Sequence, residues 1–286
     1  MAVEDVWRSY RRWSVVSRSR RKRLSQARAV NLLLVLSGGV AGALAAQDQW
    51  FSKSVTLVLG ALGAAVLALA AVLQGQLLTR ARVEQRLKAR ATAESFQALT
   101  YLYLVGAPPF ASPDRDSVLS AKQTEVEGLA EDILSLVAGV QPDDKPLPDT
   151  RTVETYLTER AKRQQAWHDT NAGSHRKQGD QWRYASIVAT CVAAVIGAVG
   201  GALHGPDLSA WVAVFATAAT AFTAHLASEQ HDRIATSYAR TASRLAALIR
   251  DYEAGAPTPE RGQAFASDVE AVLAEQNDAW IEIFRT

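Results

Sequence analysis

The chain has 286 residues, of which 48% are hydrophobic and 21% charged, and its formal net charge is +2. Its single cysteine excludes an intrachain disulfide and a metal site built from cysteines, so the chain is not a secreted disulfide-bonded scaffold. Four stretches of 19 to 26 residues contain no Asp, Glu, Lys or Arg, and this pattern excludes a free cytosolic enzyme and a disordered chain.

The uncharged stretches predict four membrane-spanning helices, since a bilayer core about 30 Å thick needs roughly 20 apolar residues of helix. We place span 1 at about 29–47, span 2 at 54–79, span 3 at 184–204 and span 4 at 208–228. The alternative for span 1 is a signal peptide, but span 2 follows it within seven residues and forms a tight hairpin with it. The predicted fold is an all-α membrane protein whose long helices extend into a cytoplasmic helical domain.

The distribution of Lys and Arg predicts that both termini face the cytoplasm. Residues 1–28 contain nine basic and two acidic residues, and residues 80–90 contain five basic residues and one acidic one. The two hairpin tips carry one Lys between them. Short basic segments remain in the cytoplasm, so we expect the tips to face outside and the segment between the hairpins to face inside. The basic layer beside the membrane also favours contact with anionic lipids.

The same order of features occurs twice: a basic segment, a hairpin of two spans, a long helix, a Gly-Pro break and a second helix. This order predicts a tandem duplication. The predicted parts are a first module at 1–141 with cytoplasmic helices at 80–105 and 117–139, a linker at 142–150, and a second module at 151–286 with cytoplasmic helices at 229–253 and 261–284. Each module also has two glycines four residues apart, which permit close contact between membrane helices. These pairs are Gly38 with Gly42 and Gly197 with Gly201.

Spans 2 and 4 are predicted to continue as helices beyond the membrane, without interruption over residues 74–105 in the first module. Residues recur there at spacings of three and four, which is typical of the seam of a coiled coil or helical bundle. Because two such seams and the small-residue faces of the two glycine pairs exceed what a four-span monomer readily buries, we expect a homo-oligomer. The seam residues are Phe96, Leu99 and Tyr103 in the first module and Tyr238, Thr241, Leu245, Leu248 and Tyr252 in the second.

Charge is layered along the cytoplasmic part of the chain. Residues 91–159 have a net charge of −8 and residues 251–286 of −6, whereas the first 28 residues have +7. These acidic lobes are candidates for binding a partner protein. Nucleic-acid binding is not expected, because the basic run lacks a recognisable module and lies next to a span.

Catalytic motifs are absent from the sequence, which has no P-loop, no His-Glu-x-x-His and no Gly-x-Ser-x-Gly. We therefore expect neither an enzyme nor a cofactor. His168 and His175 lie seven residues apart before span 3, where solvated histidines are favoured over a metal site. His225 lies near the inner end of span 4, with Glu229 one turn on, and suits an interfacial histidine better than a proton sensor at a pore mouth.

Span 4 is the predicted lining of any conducting path, because it alone has a one-sided stripe of hydroxyl and small side chains. The stripe is formed by Ala213, Thr217, Thr220 and Ala224. Such hydroxyls either face a water-filled path or bond back to their own helix. The alternative lining is span 2, which has no polar side chain over residues 57–73 and would close by dewetting.

The hairpin tips supply a predicted outer mouth for such a path. Asp207 and His204 lie between spans 3 and 4, and Asp48 lies between spans 1 and 2. A ring of carboxylates favours cations, and a histidine beside it makes the mouth sensitive to pH.

The approach to span 3 carries the most distinctive residues of the chain. They are Tyr156-Leu157-x-x-Arg160-x-x-x-Gln164-Gln165-x-Trp167-His168, followed by Trp182-Arg183-Tyr184. Together with the tight hairpin and the long helix after it, this segment resembles the SLATT superfamily, bacterial two-span domains found beside nucleotide-synthesising and nucleotide-sensing proteins in conflict systems. The first module resembles it only through Trp7-Arg8-x-Tyr10 and Arg12-Trp13, so the chain resembles two tandem copies.

The resemblance implies an effector that oligomerises in the bacterial inner membrane and permeabilises it or conducts ions, in a cell-suicide role, with a nucleotide-sensing protein as a possible partner. The residues themselves leave two functions open. One is an oligomeric pore or ion channel gated through its cytoplasmic helices. The other is a non-conducting membrane scaffold that binds a partner through its acidic lobes. A membrane enzyme is the least supported function.

Overall fold

A computed structural model describes the backbone of residues 2–47, 50–202 and 208–283, and the side chains of these residues as far as 277. Over these ranges all regular secondary structure is helical. Four of the helical segments are long and apolar enough to cross a membrane. The prediction of an all-α membrane protein with four transmembrane helices is confirmed.

Within the described residues, the chain forms nine α-helical segments. They are α1 (Ala2–Ala45), α2 (Lys53–Leu77), α3 (Arg80–Val105), α4 (Arg115–Leu129), α5 (Val153–Tyr156), α6 (Arg163–Ala202), α7 (Ser209–Glu229), α8 (His231–Ala254) and α9 (Pro259–Ile283). A 3₁₀ turn at Glu131–Leu136 follows α4, and a π-helical turn at Leu157–Lys162 joins α5 to α6. The α3 helix ends at Gly106, whose φ of 71° is a left-handed conformation that side chains with a Cβ rarely adopt.

Two predicted helices are interrupted. The helix expected without a break over 74–105 ends at Leu77 and begins again at Arg80. The corresponding break after span 4 is at Gln230, which has a left-handed φ of 53°. The helix expected at 117–139 ends at Leu129, because Gly128 weakens it and the following 3₁₀ turn buries Ile133 in the core. The prediction of uninterrupted helices was therefore wrong at these points.

The chain folds into two compact units. The membrane unit is Arg23–Arg80 with His175–Asp232, and the helical lobe is Met1–Lys22 with Ala81–Ser174 and Arg233–Thr286. Each unit takes residues from both halves of the sequence, so the units do not follow the two predicted modules. The tandem duplication therefore stays a prediction from the sequence, and the two compact units are not its two copies.

Among the described residues of the helical lobe, two apolar clusters stand out. One surrounds Trp7 and Phe96, and the other surrounds Tyr156 and Leu245. All eight predicted seam residues are buried or partly buried within this lobe. They form the seam of a bundle within one chain, and the argument that they are left over for a second chain was wrong.

The predicted linker 142–150 packs along α1 in the lobe. Trp7 donates its indole N–H to the backbone carbonyl of Lys145 over 3.0 Å, and the Lys145 ammonium donates to the Tyr10 hydroxyl over 3.1 Å. Just before the linker, Arg12 donates to the carbonyl of Val137 over 2.8 Å. The Trp7 and Arg12 side chains thus satisfy backbone carbonyls in a part of the chain that forms no α-helix and cannot pair them internally.

The spans of the membrane unit bury little of their surface within the chain. No more than 17% of the most apolar window of any span is buried. Large apolar side chains on α1, α2 and α6 are exposed, for example Leu33 (65%), Leu57 (74%) and Val195 (62%). Such faces need lipid or another protein around them.

The first glycine pair packs tightly, whereas the second does not. A Cβ added at Gly38 would lie 2.7 Å from Cγ of Leu67, and one added at Gly63 would lie 3.2 Å from the carbonyl oxygen of Gly38. The backbones of α1 and α2 therefore approach closely there. A Cβ at Gly197 would make only an ordinary contact of 3.7 Å with Val212, and a Cβ added at Gly42 or Gly201 would have no described atom within 4 Å.

Candidate functional site

A cavity of about 550 Å³ lies within the membrane unit. It is bounded by the first part of span 1 on α1, by the end of α2 and by one face of α7. Its lining mixes apolar side chains with hydroxyl, amide, imidazole and guanidinium groups. The lining residues are Arg28, Asn31, Leu32, Val35, Gln74, Leu78, Ala216, Thr217, Thr220, Ala221, Ala224, His225 and Ser228.

The cavity includes most of the predicted stripe on span 4. Thr217, Thr220 and Ala224 all line it, together with Ser228 one turn further on. Ala213 lies one turn before Thr217, outside the lining, and is exposed. The structure therefore brings three of the four predicted lining residues to one polar cavity.

The hydroxyls of the stripe also bond back to their own helix. Thr220 donates to the carbonyl of Ala216 over 2.9 Å, and Ser228 donates to the carbonyl of His225 over 2.9 Å. A hydroxyl that donates to its own helix keeps its lone pairs as acceptors. The two alternatives weighed for the stripe are thus compatible, because these groups satisfy their backbone and still present oxygen atoms to the cavity.

One of the lining residues, Arg28, forms an ion pair. The Arg28 guanidinium donates to Oε1 of Glu229 over 2.9 Å, and the two side chains are only 11% and 23% exposed. Asn31 lies one turn into span 1, and its Oδ1 is buried with no hydrogen-bond partner among the described residues. A buried polar oxygen without a partner is costly, so this amide marks a place where water or a cation would be stabilised.

His225 contacts an aromatic side chain of the neighbouring span. Its ring centroid lies 4.4 Å from that of Trp182, which also lies 5.7 Å from Phe222. Ser186 on the same span donates to the carbonyl of Ala219 over 3.2 Å. Span 3 and span 4 are thus held together by aromatic and hydroxyl contacts, and His225 has one side against Trp182 and the other at the cavity.

The predicted outer mouth lies outside the described residues. Asp48, His204 and Asp207 belong to the two hairpin tips, and the ring of carboxylates proposed from the sequence stays a prediction.

A buried polar network in the helical lobe contains the most distinctive sequence residues. Arg160 donates through Nε and Nη2 to the two carboxylate oxygens of Glu270, over 2.9 and 3.0 Å. Tyr156 donates its hydroxyl to the same carboxylate over 2.9 Å. The Arg160 guanidinium also lies 4.6 Å from the ring centroid of Tyr101. The network joins the π-helical turn before span 3 to α9 and α3.

Burial and charge set the protonation of this network. Burial raises the pKa of Tyr156 well above its ordinary value, and the negative charge of Glu270 adds to the effect, so the phenol stays protonated and donates. For Arg160, burial acts to lower the pKa, but the charge and hydrogen bonds of Glu270 outweigh it and the pKa is raised. Because both groups stay protonated, Tyr156 and Arg160 are the hydrogen-bond donors and Glu270 is the acceptor.

His168 makes the second polar link between α6 and α9. Its Nδ1 lies 2.7 Å from the carbonyl oxygen of Gln164, and its Nε2 lies 3.0 Å from Oε1 of Gln276. The adjacent Trp167 packs edge-on against Tyr238 of α8, with ring centroids 5.2 Å apart. His168 is thus a buried structural histidine rather than a solvated one.

His175 has a different partner from His168. Its Nδ1 lies 3.0 Å from Nδ1 of His231, at the start of α8. A single proton shared between the two nitrogens satisfies this contact, since one ring must donate and the other accept. The two histidines that were seven residues apart in the sequence therefore do not converge on one another.

Several of these groups were not singled out from the sequence. Arg28 and Glu229 are the charges that end two of the uncharged stretches, and Asn31 is the first amide inside span 1. Their position at the end of a span could have identified them, because a polar or charged group at that depth in a membrane is costly and usually has a functional role. Glu270 had no such signal, since it is one of eight acids in an acidic helix segment.

Comparison with protein families gives two matches in different parts of the chain. Residues 156–280 match the family described as SMODS and SLOG-associating 2TM effector domain 1, which is a SLATT family. Residues 9–117 match a family described only as a protein of unknown function, DUF4231. No curated protein and no solved structure matches the chain.

The first match confirms the resemblance to the SLATT superfamily for the second half of the chain. The first half matches a different family, so the prediction of two tandem SLATT copies is supported only in part. The matched segment begins at Tyr156 and includes Arg160, His168, Glu270 and Gln276, so the polar links of the lobe lie within it. The chain is an all-α membrane protein, and its second half is similar to the two-span effector domains of this family.

Proposed function

With residues 156–280 matching a family of two-span effector domains, we propose that this protein is an oligomeric pore or ion channel of the bacterial inner membrane, gated through its helical lobe. The observation that carries the proposal is the polar cavity within the membrane unit, lined by Thr217, Thr220 and Ala224. A transmembrane bundle that served only as an anchor would have no need of such a cavity.

Polar groups at the depth of the spans support a hydrated path. Asn31 and Gln74 contribute amides, and Thr217 and Thr220 contribute hydroxyls, from three different helices. Each of these groups is costly in hydrocarbon and favourable beside water or an ion. The Arg28–Glu229 pair places one charge of each sign beside the cavity, so it adds no net charge there.

The exposed apolar faces of the spans support assembly with further copies. The seam residues do not support an oligomer, because they are buried within the helical lobe of one chain. The support for an oligomer comes from the spans, which leave most of their apolar surface to lipid or to other subunits. The membrane unit of one chain has this cavity on one side of α7 only. A path across the whole membrane therefore needs the spans of more than one copy.

Continuous helices offer a route for gating. The α1 and α6 helices each contribute residues to both the helical lobe and the membrane unit, with no helix break between the two sets. Arg28 and Asn31, which line the cavity, lie on the first of these helices. A change of packing in the lobe would therefore bear on the cavity lining through covalently continuous elements.

We further propose that both termini lie in the cytoplasm and that the basic residues before span 1 contact anionic lipids. A nucleotide-sensing protein is the proposed partner that signals to the lobe. We propose neither an enzymatic activity nor a nucleic-acid ligand for this chain.

The second candidate function is a non-conducting scaffold that binds a partner through its acidic lobe surface. The net charges of −8 over residues 91–159 and −6 over residues 251–286 favour it. The two candidates differ in one measurable property, because only the first carries current.

Conductance of the purified chain in a planar bilayer tests the proposal. The wild-type protein should carry current, and the double variant Thr217→Leu/Thr220→Leu should reduce it severalfold, because it removes two hydroxyls from the cavity. The matched control is Thr190→Leu, whose exposed hydroxyl also bonds its own helix, over 2.9 Å to Ser186, but lies on span 3 outside the cavity.

Three results would change the proposal. Absence of current from a folded, oligomeric protein would favour the scaffold. A protein that is monomeric in several mild detergents would remove the basis for a pore. A current unaffected by the threonine variant but raised by Leu62→Ser or Leu69→Ser would move the path to span 2, where both leucines are exposed.

A further inference from the structure

Two histidines face each other where span 4 ends. Nδ1 of His175 on α6 lies 3.0 Å from Nδ1 of His231, the first residue of α8, and the ring centroids are 5.2 Å apart. His231 is only 4% exposed. Both residues belong to the membrane unit, outside its predicted spans, and neither lines the cavity of that unit. The proposed path therefore gives this histidine pair no role.

The histidine pair lies beside the kink between α7 and α8. Gln230 forms the kink with a φ of 53°, a left-handed conformation that residues with a Cβ rarely adopt. Residues 226–233 contain no glycine or proline, so the local sequence favours a continuous helix through this point. Contacts with other helices must therefore fix the kink.

Two ion pairs flank the kink. Before it, Glu229 accepts a hydrogen bond from Arg28 of α1 over 2.9 Å. After it, Asp232 accepts from Arg183 of α6 over 2.9 Å, and the same arginine donates to Asp180 over 2.6 Å. Each carboxylate beside the kink is thus already matched by an arginine, so the carboxylates do not fully offset a second positive charge on the histidine pair.

The α6 helix packs closely on the start of α8. A Cβ added at Gly179 would lie 3.2 Å from Oδ1 of Asp232 and 3.3 Å from Cβ of His231. Such distances leave little free space between the two backbones. Two rings that repel each other at this place can therefore separate only if the start of α8 moves.

The number of protons on the histidine pair decides whether the rings can face each other. When both rings are neutral, or when only one is charged, one Nδ1–H donates and the other Nδ1 accepts. When both rings are charged, both nitrogens carry a proton, neither accepts, and the two positive charges repel. The contact is therefore compatible with one added proton and incompatible with two.

The surroundings of His231 determine the pH at which the contact is lost. Burial lowers the pKa of His231 from its ordinary 6.5; the carboxylates near it act against burial, and the basic groups act with it. A histidine of this kind stabilises the fold fully above about pH 6.5 and loses that contribution as the pH falls towards the folded pKa. The charged and titratable groups that face it come from four helices, namely Arg28 of α1, His175 of α6, His225 and Glu229 of α7 and Asp232 of α8.

We propose that the histidine pair is a proton-sensitive contact that fixes the α7–α8 kink at neutral pH and releases it when both rings are protonated. Glu229 precedes His231 by two residues and pairs with Arg28 of the cavity lining. Release of the kink therefore alters the cavity through the last residue of α7, and protons regulate the path. The effect on current rests on the proposed function, whereas the release of the kink does not.

Nuclear magnetic resonance of the full-length protein in nanodiscs, with isotopically labelled histidine, tests the contact itself. The chain has only five histidines, which keeps the spectrum simple. In the wild type, His175 and His231 should take up protons in two steps more than about one pH unit apart, and the backbone signals of His231 should shift with the second step. His175→Gln retains an amide that donates or accepts but never becomes charged. In this variant, His231 should titrate in one step, at a higher pH than the second wild-type step, and its backbone signals should shift less.

Conductance in a planar bilayer tests the regulation. The wild-type current at about pH 5.5 should exceed that at about pH 7.5 severalfold, and His175→Gln should remove most of this rise. The matched control is His168→Gln, which removes another histidine of α6 whose Nε2 faces Gln276 rather than His231. The control should retain the rise.

The two arms separate the contact from the path. Absence of current at every pH, together with a two-step titration, would overturn the proposed function and leave the contact in place. Independent titration of the two rings, or backbone signals of His231 that stay level through the second step, would overturn the contact. A rise of current that His175→Gln retains, or that His168→Gln removes equally, would overturn the regulation. Loss of the two-step titration on addition of a chelator would assign the contact to a bound metal ion and overturn the proton-sensitive contact.

Discussion

Arg160 and Glu270 form a bidentate ion pair in the core of the helical lobe, with side chains only 2% and 3% exposed. The two residues are 110 positions apart in the chain, and the pair joins the π-helical turn before span 3 to α9. Removing one partner leaves the other charge buried and unpaired, whereas removing both leaves no buried charge and leaves the Tyr156 hydroxyl with the Ala266 carbonyl, 3.4 Å away, as its acceptor.

Breaking this pair should destabilise the lobe strongly. Glu270→Gln should lower the free energy of unfolding by about 3–5 kcal/mol, because it leaves the Arg160 charge buried without a counter-charge. The double variant Arg160→Met/Glu270→Leu should recover most of this loss. Chemical unfolding of the full-length protein measures both effects.

The control for this prediction is Arg244→Gln. The Arg244–Glu275 ion pair also involves α9, which it joins to α8, but this pair lies on the surface. The substitution should change stability little, since exposed ion pairs contribute little. If Glu270→Gln were as mild as Arg244→Gln, the buried pair would not stabilise the lobe.

Close packing of α1 on α2 predicts a difference between the two glycine pairs. Gly38→Ala should destabilise the membrane unit by about 1–3 kcal/mol, because the new Cβ would overlap Leu67 and press on the Gly63 carbonyl. Gly197→Ala should be neutral or stabilise by up to about 1 kcal/mol, because its Cβ has room and alanine favours helix. Thermal unfolding in one detergent compares the two, and equal effects would contradict the assigned packing.

Impermeant thiol labelling of intact cells tests the proposed orientation. In a Cys191→Ser background, Ser52→Cys at the start of α2 should react from outside and Asp144→Cys in the linker should not, because basic flanks retain the linker in the cytoplasm. Both positions are exposed in the structure, so accessibility within the chain does not differ between them. Reaction at position 144 alone would invert the topology.

The buried histidine of the lobe predicts a dependence of stability on pH. The pKa of His168 is lowered in the folded state from its ordinary 6.5, so the unfolded chain takes up the proton first as the pH falls. The contribution of His168 is therefore complete above about pH 6.5 and is lost as the pH falls towards the folded pKa. His168→Gln cannot titrate and should flatten this part of the profile.

Thermal midpoints between about pH 8 and pH 5 measure this profile. A wild-type profile that stays level below the ordinary pKa of histidine would contradict the assigned burial of His168.

The sequence alone determined the membrane class, the helical fold and the approximate ends of the helices. These properties are local, because a run of uncharged residues selects lipid whatever surrounds it, and a glycine followed closely by proline favours the end of a helix. Gly106 illustrates the point, since it ends α3 with a left-handed backbone at the predicted break. The stripe of Thr217, Thr220 and Ala224 was likewise visible, because a one-sided polar pattern on an apolar helix needs no knowledge of the neighbouring helices.

The tertiary structure alone decided what each face meets. Periodicity identified the seam at Leu245 but could not show that α9 and its own lobe cover it, so periodicity by itself does not distinguish a bundle within one chain from an oligomer. The pairing of Arg28 with Glu229, 201 residues apart, and of Arg160 with Glu270 has no local signal, because charged residues of either sign are abundant in these segments. Contacts between distant segments depend on which helices become neighbours, and that is a property of the packed bundle rather than of any one helix.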